Sequence, residues 1–128
     1  MVRYLLDTHV ALWLFEGNEK LSQHARNIIF DTNNEIYVSI ISAWEVAIKV
    51  SIDKLDFDGG SEAFLAAIEA NNIDLLGIHG EFVKVVEELP FIHRDPFDRI
   101  LIASALTEGL TIITDDDNIK KYNALWTW

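Results

Sequence analysis

The chain of 128 residues contains no cysteine, two prolines and six glycines. Without cysteine, a disulfide-stapled scaffold, a thiolate zinc site and a cysteine nucleophile are excluded. No apolar run approaches the ~20 residues of a membrane-spanning helix, and the acidic Asp7 comes too early for a signal peptide. These absences predict a soluble, cytoplasmic protein with no membrane partner.

Basic residues are also scarce. Ten Lys and Arg face 21 Asp and Glu, which gives a formal net charge of −11 at pH 7. A protein that binds nucleic acid through a broad basic surface has the opposite balance. A nucleic-acid substrate would therefore need local contacts bridged by a cation, and a divalent metal ion is the obvious candidate.

Half of the residues are apolar, which argues against disorder, and the length fits one domain, residues 1–128. Short apolar segments typical of strands alternate with segments of helical periodicity. The strand candidates are residues 2–6, 36–38, 73–76, 110–114 and 125–126. The helix candidates are residues 8–15, 21–30, 61–70, 79–89, 96–107 and 118–122, with another helix beginning at Ser39 or Ser42. The alternation predicts an α/β fold with a mostly parallel sheet covered on both faces.

Acidic residues occur where the predicted strands meet helices. They are Asp7 after the first strand, Glu45 in the helix after residues 36–38, Asp98 in the first turn of a helix, and Asp116 after residues 110–114. The carboxyl ends of parallel strands lie at one edge of a sheet, where ligands bind. A parallel sheet would therefore place these four carboxylates at the same edge.

Taken singly, each acid is better explained by helix capping. Asp7 and residues 115–117 can cap the helices that follow them, Ser42 with Glu45 matches a capping box, and Asp95 precedes a helix that begins with Pro. Taken together, four acids at four junctions favour a shared site. Two carboxylates ~5 Å apart repel by about 3 kcal/mol at an effective dielectric near 20, so a converging set needs a cation.

A site with only oxygen ligands favours Mg²⁺ or Mn²⁺ over zinc. Such a site keeps positions open for phosphate oxygens and an attacking water. The residues alone therefore point to phosphoryl or phosphodiester chemistry, without deciding between these acids as ligands and as caps.

Four segments carry a family pattern: YLLDTHV at 4–10, SIISAWEVAIK at 39–49, HRDPFDRILIA at 93–103 and TIITDD at 111–116. In this order they resemble the PIN-domain family, and within it the branch related to VapC toxins of bacterial type II toxin–antitoxin pairs. The resemblance extends over about residues 1–126, and the segment 93–103 is highly specific. It implies a three-layer α/β/α, Rossmann-like fold and a metal-dependent endoribonuclease, with an antitoxin and a second copy of the chain as partners.

The resemblance places the catalytic, metal-binding site on Asp7, Glu45, Asp98 and Asp116, which would hold one or two Mg²⁺ or Mn²⁺ ions. The family's Thr-x-Asp pattern selects Asp116 over Asp115. The neighbouring residues Thr114, His9, Asp95 and Asp115 are auxiliary candidates, with Asp95 interpreted as a helix cap. The cations expected to guide the RNA backbone are Lys49, Arg94 and Arg99.

Two other functions use the same residues. A receiver-type signalling domain needs paired acids after the first strand and a Lys after the last, whereas this chain has one acid, Asp7, after its first strand and acids after residues 110–114. A non-catalytic binding or scaffold protein on the PIN fold would have less reason to keep all four acids. Neither P-loop nor Gly-x-Gly-x-x-Gly occurs in the sequence, so nucleotide-cofactor enzymes are poorly supported.

Overall fold

A sheet whose neighbouring strands all run parallel forms the centre of the fold. The computed structural model describes residues 2–128, so Met1, the first residue of the predicted domain, lies outside the described residues. Within the described part, the strands are β1 (Arg3–Leu6), β2 (Glu35–Ser39), β3 (Asp74–Leu76), β4 (Thr111–Ile113) and β5 (Trp126–Thr127). Their order across the sheet is β3-β2-β1-β4-β5, which confirms the predicted parallel architecture.

Helices fill the connections between these strands. They are α1 (Thr8–Glu16), α2 (Gln23–Phe30), α3 (Ile40–Ser51), α4 (Gly60–Ala70), α5 (Gly80–Glu88), α6 (Pro96–Glu108) and α7 (Asp117–Lys120). The predicted boundaries differ from these by one to two residues at most ends. In the part of the chain that is described, no helix combines the length and apolarity needed to cross a bilayer.

The start of α3 decides between the two serines that the sequence left open. Ser39 ends β2 and caps α3, since its hydroxyl accepts a hydrogen bond from the backbone N–H of Ile41. Ser42 lies inside α3, where its Oγ is 2.7 Å from Thr8 Oγ1. The predicted capping box between Ser42 and Glu45 is therefore wrong, because the helix begins directly at the end of the strand.

The core lies on both faces of the sheet because successive strand side chains point to opposite sides. Leu6 and Ile113 pack with side chains of α1 to α4 on one face. Leu5 and Ile112 pack with side chains of α5, α6 and α7 on the other. This division confirms the three-layer α/β/α prediction, and burial on both faces explains why the strands read as continuous apolar runs.

The strand order places the acid-bearing junctions side by side. β1 pairs with β2 on one side and with β4 on the other, so three strand ends meet at the middle of one sheet edge. The ladder continues one residue beyond β1, because the backbone N–H of Asp7 donates to the carbonyl of Ile113 at 3.1 Å. Asp7 is thereby fixed next to the end of β4.

Candidate active site

Asp7 is a buried carboxylate held by a threonine that directly follows the neighbouring strand β4. It occupies the N-cap position of α1, but its side chain makes no capping hydrogen bond. Its Oδ2 instead accepts a hydrogen bond of 3.0 Å from Thr114 Oγ1. Burial raises the pKa of Asp7 to about 6, although the Thr114 hydroxyl and the charge of His9 act against that rise. The capping interpretation of Asp7 is therefore wrong, and its ionised form faces an unfavourable environment.

Glu45 projects from α3 with only one of its two oxygens bonded. Its Oε2 lies 2.6 Å from Lys49 Nζ, one helical turn further along. Its Oε1 is the one buried side-chain oxygen or nitrogen in residues 2–128 that lacks a hydrogen-bond partner. Leaving such an atom unsatisfied costs about 1–3 kcal/mol, and more for a charged group. A cation is the partner that would satisfy it.

The pKa of Asp98 is raised further than that of Asp7. Burial raises its pKa to about 8, and the negative charges of neighbouring carboxylates add to the rise. These neighbours are Asp7, Asp95, Asp116 and Glu45. Its Oδ2 lies 3.0 Å from His93 Nε2, so one oxygen of the carboxylate already has a partner. The contributions of these charges to the raised pKa of Asp98 indicate that the junction acids lie within electrostatic range of one another.

The side chains of Asp115 and Asp116 lie in different surroundings. Asp116 is half-buried and caps α7, since its Oδ1 accepts two backbone hydrogen bonds of 2.7 and 3.2 Å. Asp115 has a side chain that is 51% exposed and pairs with Lys120 at 3.1 Å. The charge of Asp116 raises the pKa of both Asp7 and Asp98. The structure therefore brings Asp116 toward the other acids and leaves Asp115 at the surface.

Asp95 caps α6, as the sequence predicted. Its Oδ1 accepts hydrogen bonds from the backbone N–H groups of Phe97 and Asp98, at 2.9 and 3.2 Å. Its charge still acts on the site, because it raises the pKa of Asp98 and that of Lys49. Burial alone would lower the pKa of Lys49, but the hydrogen bond and charge of Glu45 outweigh it.

In this conformation the acids form no ready-made ion cage. Among residues 2–128, no group of three or more His, Asp or Glu side chains is arranged to hold a metal ion. Other donors hold the carboxylates instead: Lys49 binds Glu45, His93 contacts Asp98 and the first turn of α7 engages Asp116. The donor set nevertheless fits a divalent cation, because it consists of carboxylate oxygens, carries like charges and includes the orphaned Oε1 of Glu45. Oxygen ligands of this kind suit Mg²⁺ or Mn²⁺.

Comparison with known proteins decides the family. The family model of the PIN domain matches residues 4–125. The chain belongs to the PIN-domain family. This membership confirms the resemblance seen in the sequence and replaces the receiver-type alternative.

Relatives of this PIN domain align with nearly all of it. Ribonuclease VapC22 of Mycobacterium tuberculosis is 27% identical over 123 residues, which is 95% of this chain and 93% of the relative. VapBC2 from Rickettsia felis, solved with a DNA fragment from its promoter, has a TM-score of 0.76 at 16% identity and covers 99% of both chains. A toxin–antitoxin complex from Klebsiella pneumoniae has a TM-score of 0.63 at 19% identity, covering 97% of this chain and 96% of that one. The solved structures support the fold.

Arg99 of this PIN domain is not placed to guide RNA. It is buried, and its guanidinium donates to the carbonyl oxygens of Pro90 and Val86 at 3.0 and 3.2 Å. The side chain ties α6 to the end of α5, so the prediction that it contacts the RNA backbone is wrong. Lys49 and the exposed Arg94 keep part of their side chains at the surface.

Two features of the site could not be read from local sequence patterns. Tyr122 contacts His93, which lies 29 residues away in the chain, and no motif spacing signals that pair. A cavity of about 380 Å³ adjoins Glu45, Lys49 and the exposed His9. Its apolar lining consists of Leu12, Val46, Ile48, Ile52, Leu55 and Phe97. The apolar periodicity of α1 and α3 was visible in the sequence, but the gap between them was not.

Proposed function

We propose that residues 1–128 form a single PIN domain that acts as a divalent-metal-dependent endoribonuclease, the VapC-type toxin of a toxin–antitoxin pair. The observation that carries this proposal is the orphaned Oε1 of the buried Glu45, in a site where the charges of Asp7, Asp98 and Asp116 act on one another. The PIN family and the relative named as a ribonuclease support the same reaction class. Mg²⁺ or Mn²⁺, as one or two ions, is the proposed cofactor.

The proposed reaction is hydrolysis of an RNA phosphodiester bond. Water adds across a P–O bond, so that one fragment ends in a phosphate monoester and the other in a hydroxyl. A divalent ion bound by Asp7, Glu45, Asp98 and Asp116 would supply charge for the scissile phosphate and acidify a water molecule. The Thr114 hydroxyl lowers the pKa of Asp7 and orients its carboxylate, and Asp98 or Asp116 would orient the attacking water.

An acidic protein needs local positive charge to bind RNA. The formal charge of −11 repels a polyanion at long range. Lys49 at the cavity and the exposed Arg94 before α6 are the cations that we propose to contact RNA phosphates. Because these contacts are few, the salt dependence of RNA binding should be shallow, with a slope that reflects only a small number of phosphates.

Cleavage of a labelled single-stranded RNA tests the proposal. The purified chain should cut in Mg²⁺ or Mn²⁺ and not in EDTA, and Asp98→Asn should abolish cutting. Asp116→Asn and Asp115→Asn form a matched pair, in which only the first should lose activity. Equal cutting by the wild type and Asp98→Asn would reveal a contaminating ribonuclease. A well-folded wild type that neither cuts RNA nor binds Mn²⁺ in calorimetry would support a non-catalytic binding protein instead.

We also propose an antitoxin partner, a homodimer and a cytoplasmic location. The Klebsiella pneumoniae structure with the same fold is a toxin–antitoxin complex, and the apolar cavity beside Glu45 offers a place for an antitoxin segment. Ile52 lines that cavity and is exposed, so Ile52→Asp should weaken inhibition by the antitoxin while RNA cutting continues. Exposed apolar side chains such as Trp44 and Phe91 supply further contact surface. Light scattering across a concentration series measures the oligomeric state.

A further inference from the structure

A series of hydrogen-bonded side chains leads from the protein interior to the candidate ligand Asp98. Arg99 Nη1 lies 3.0 Å from the hydroxyl of Tyr122. That hydroxyl lies 2.8 Å from His93 Nδ1, and His93 Nε2 lies 3.0 Å from Asp98 Oδ2. Arg99 and Tyr122 are buried, and the side chain of His93 is 13% exposed. The four residues come from α6, the loop before it and the segment after α7.

The direction of these hydrogen bonds follows from which groups can donate and which can accept. A guanidinium only donates, so the Tyr122 oxygen accepts from Arg99. The same oxygen also accepts from the backbone N–H of His93, at 3.3 Å. These two donors use both acceptor positions of the phenol, and its own proton is therefore directed to His93 Nδ1.

This arrangement fixes the tautomer of His93. Because Nδ1 accepts a hydrogen bond, the neutral imidazole carries its proton on Nε2. Nε2–H then donates to Asp98 Oδ2. Each hydrogen bond in this series is donated in the same direction, from Arg99 through Tyr122 and His93 to the carboxylate of Asp98.

We propose that His93 is a positioning residue for metal binding, oriented by Tyr122 and Arg99, which holds Asp98 through Oδ2 and leaves Oδ1 for the divalent ion. The inference deepens the proposed function and rests on it. A hydrogen bond behind a ligand orients that ligand, and losing such a bond typically costs 10–100-fold in metal affinity or activity. Because the Tyr122 hydroxyl occupies Nδ1, the imidazole holds the carboxylate through Nε2 alone and leaves Asp98 Oδ1 for the ion.

Lys49 contacts its candidate ligand in a different way from His93. It also holds a candidate ligand, Glu45, but with a full positive charge. An ion that binds Glu45 must compete with that ammonium, whereas His93 can keep its hydrogen bond to Asp98 when an ion arrives. The two donors therefore have different roles in the same site.

Mn²⁺ titration without RNA tests the proposal directly. His93→Leu removes the donor, His93→Gln retains an N–H group at the end of a side chain of similar reach, and Tyr122→Phe removes the hydroxyl that fixes the tautomer. We expect calorimetry to show Mn²⁺ affinity at least tenfold weaker for His93→Leu, with His93→Gln recovering most of it and Tyr122→Phe falling between. In RNA cleavage, the Mn²⁺ concentration for half-maximal rate should rise in the same order, with little change in the KM for RNA.

Three results would overturn the proposal. Equal Mn²⁺ affinity for the wild type and a folded His93→Leu would remove His93 from metal positioning while leaving the nuclease in place. Affinities for His93→Gln and His93→Leu that match would show that the donor is unimportant. A wild type that binds no Mn²⁺ and cuts no RNA would remove the proposed function together with this inference. If His93→Leu does not fold, as judged by its thermal transition, the comparison of Tyr122→Phe and His93→Gln with the wild type decides the outcome.

Discussion

Thr114 Oγ1 donates a hydrogen bond of 3.0 Å to Asp7 Oδ2 and accepts another of 3.0 Å from the backbone N–H of Asp116. One fully buried hydroxyl thereby connects two candidate ligands that follow adjacent parallel strands. It also lowers the pKa of Asp7 against the effect of burial. The geometry places Thr114 between two of the predicted site residues.

Replacing Thr114 with Val should damage the site beyond the loss of one hydroxyl. The variant keeps the branched shape but leaves the Asp116 N–H without its acceptor and Asp7 without its donor. We expect the free energy of unfolding to fall by about 1–3 kcal/mol, with RNA cleavage reduced more than stability explains. Thr107→Val is the control, since the Thr107 hydroxyl donates only to Ala103 of its own helix. Denaturant unfolding that shows equal losses for the two variants would contradict this view.

The metal-free protein should lose stability as pH rises from about 4 to about 8. The pKa of Asp98 is raised from 3.8 to about 8 and that of Asp7 to about 6. The unfolded chain therefore releases protons in this interval that the folded chain keeps, and the stability from the protonated carboxyls is lost as pH passes the folded values. One such proton changes stability by up to about 1.4 kcal/mol per pH unit.

Asp98→Asn should flatten that pH dependence and raise the melting temperature at pH 8 in EDTA, because the amide side chain does not ionise. Thermal transitions at pH 5, 6, 7 and 8 measure the difference between variant and wild type. Parallel curves for the two proteins would show that Asp98 ionises normally in the folded state. Destabilisation of both Asp98→Asn and Asp7→Asn in EDTA would favour structural roles for these acids.

Mn²⁺ should stabilise the wild type through Glu45. An ion that binds only the folded state at 100 times its Kd adds about 2.7 kcal/mol. Glu45→Gln should lose most of this gain, because the orphaned carboxylate oxygen becomes part of a neutral amide. Glu69→Gln changes an exposed glutamate of α4 in the same way and should keep the full effect. The readout is the melting temperature with and without Mn²⁺, and an equal gain in both variants would exclude Glu45 as a ligand.

Lys49→Met should tighten Mn²⁺ binding. The ammonium that lies 2.6 Å from Glu45 Oε2 is removed, so an ion no longer competes with it. RNA cleavage at saturating Mn²⁺ should nevertheless fall, since we assign Lys49 to a phosphate contact. Lys54→Met, at the rim of the same cavity, provides the comparison. Weaker Mn²⁺ binding in the Lys49 variant, measured by calorimetry, would argue that the lysine supports the metal-binding conformation.

Arg94 and Arg99 should respond in opposite ways to the same substitution. Arg99→Met leaves the carbonyl oxygens of Pro90 and Val86 without their donor, so we expect a loss of about 3 kcal/mol in stability. Arg94→Met changes an exposed side chain and should leave stability nearly unchanged while raising the KM for RNA. Unfolding curves and a KM series at two salt concentrations separate the effects. A higher KM for both variants at unchanged stability would restore Arg99 as an RNA contact.

The order of strands and helices could be predicted because apolar periodicity and end signals are local. Gly17 and Gly109, both with positive φ, end α1 and α6, and Pro96 begins α6. The position of Asp95 as a cap was predictable for the same reason. Tertiary contacts explain the errors. Ser42 packs against Thr8 across two helices. The Asp7 side chain accepts a hydrogen bond from Thr114, which follows β4 more than a hundred residues away in the chain. These tertiary contacts override the local capping patterns at both positions.

The basic residues also show that local sequence patterns do not determine tertiary contacts. Arg94 and Arg99 stand in one short motif, but one is exposed and the other is buried against backbone carbonyls. Sequence spacing identifies a charge and not the direction in which it points. The hydrogen bonds from Tyr122 through His93 to Asp98 could not be predicted either, because these residues meet only when the segment after α7 packs against the start of α6.

The central position of β1 has a consequence during protein synthesis. The strand that precedes Asp7 is made before all the helices, yet one of its two neighbours, β4, is made only after α1 to α6. On the ribosome, β1 can pair early with β2, but the edge bearing Asp7 and Asp116 stays open until β4 and α7 have left the exit tunnel. Asp7 and Asp116 therefore stay apart while α1 to α6 are being made. The four junction acids can therefore come together only after β4 and α7 have been made.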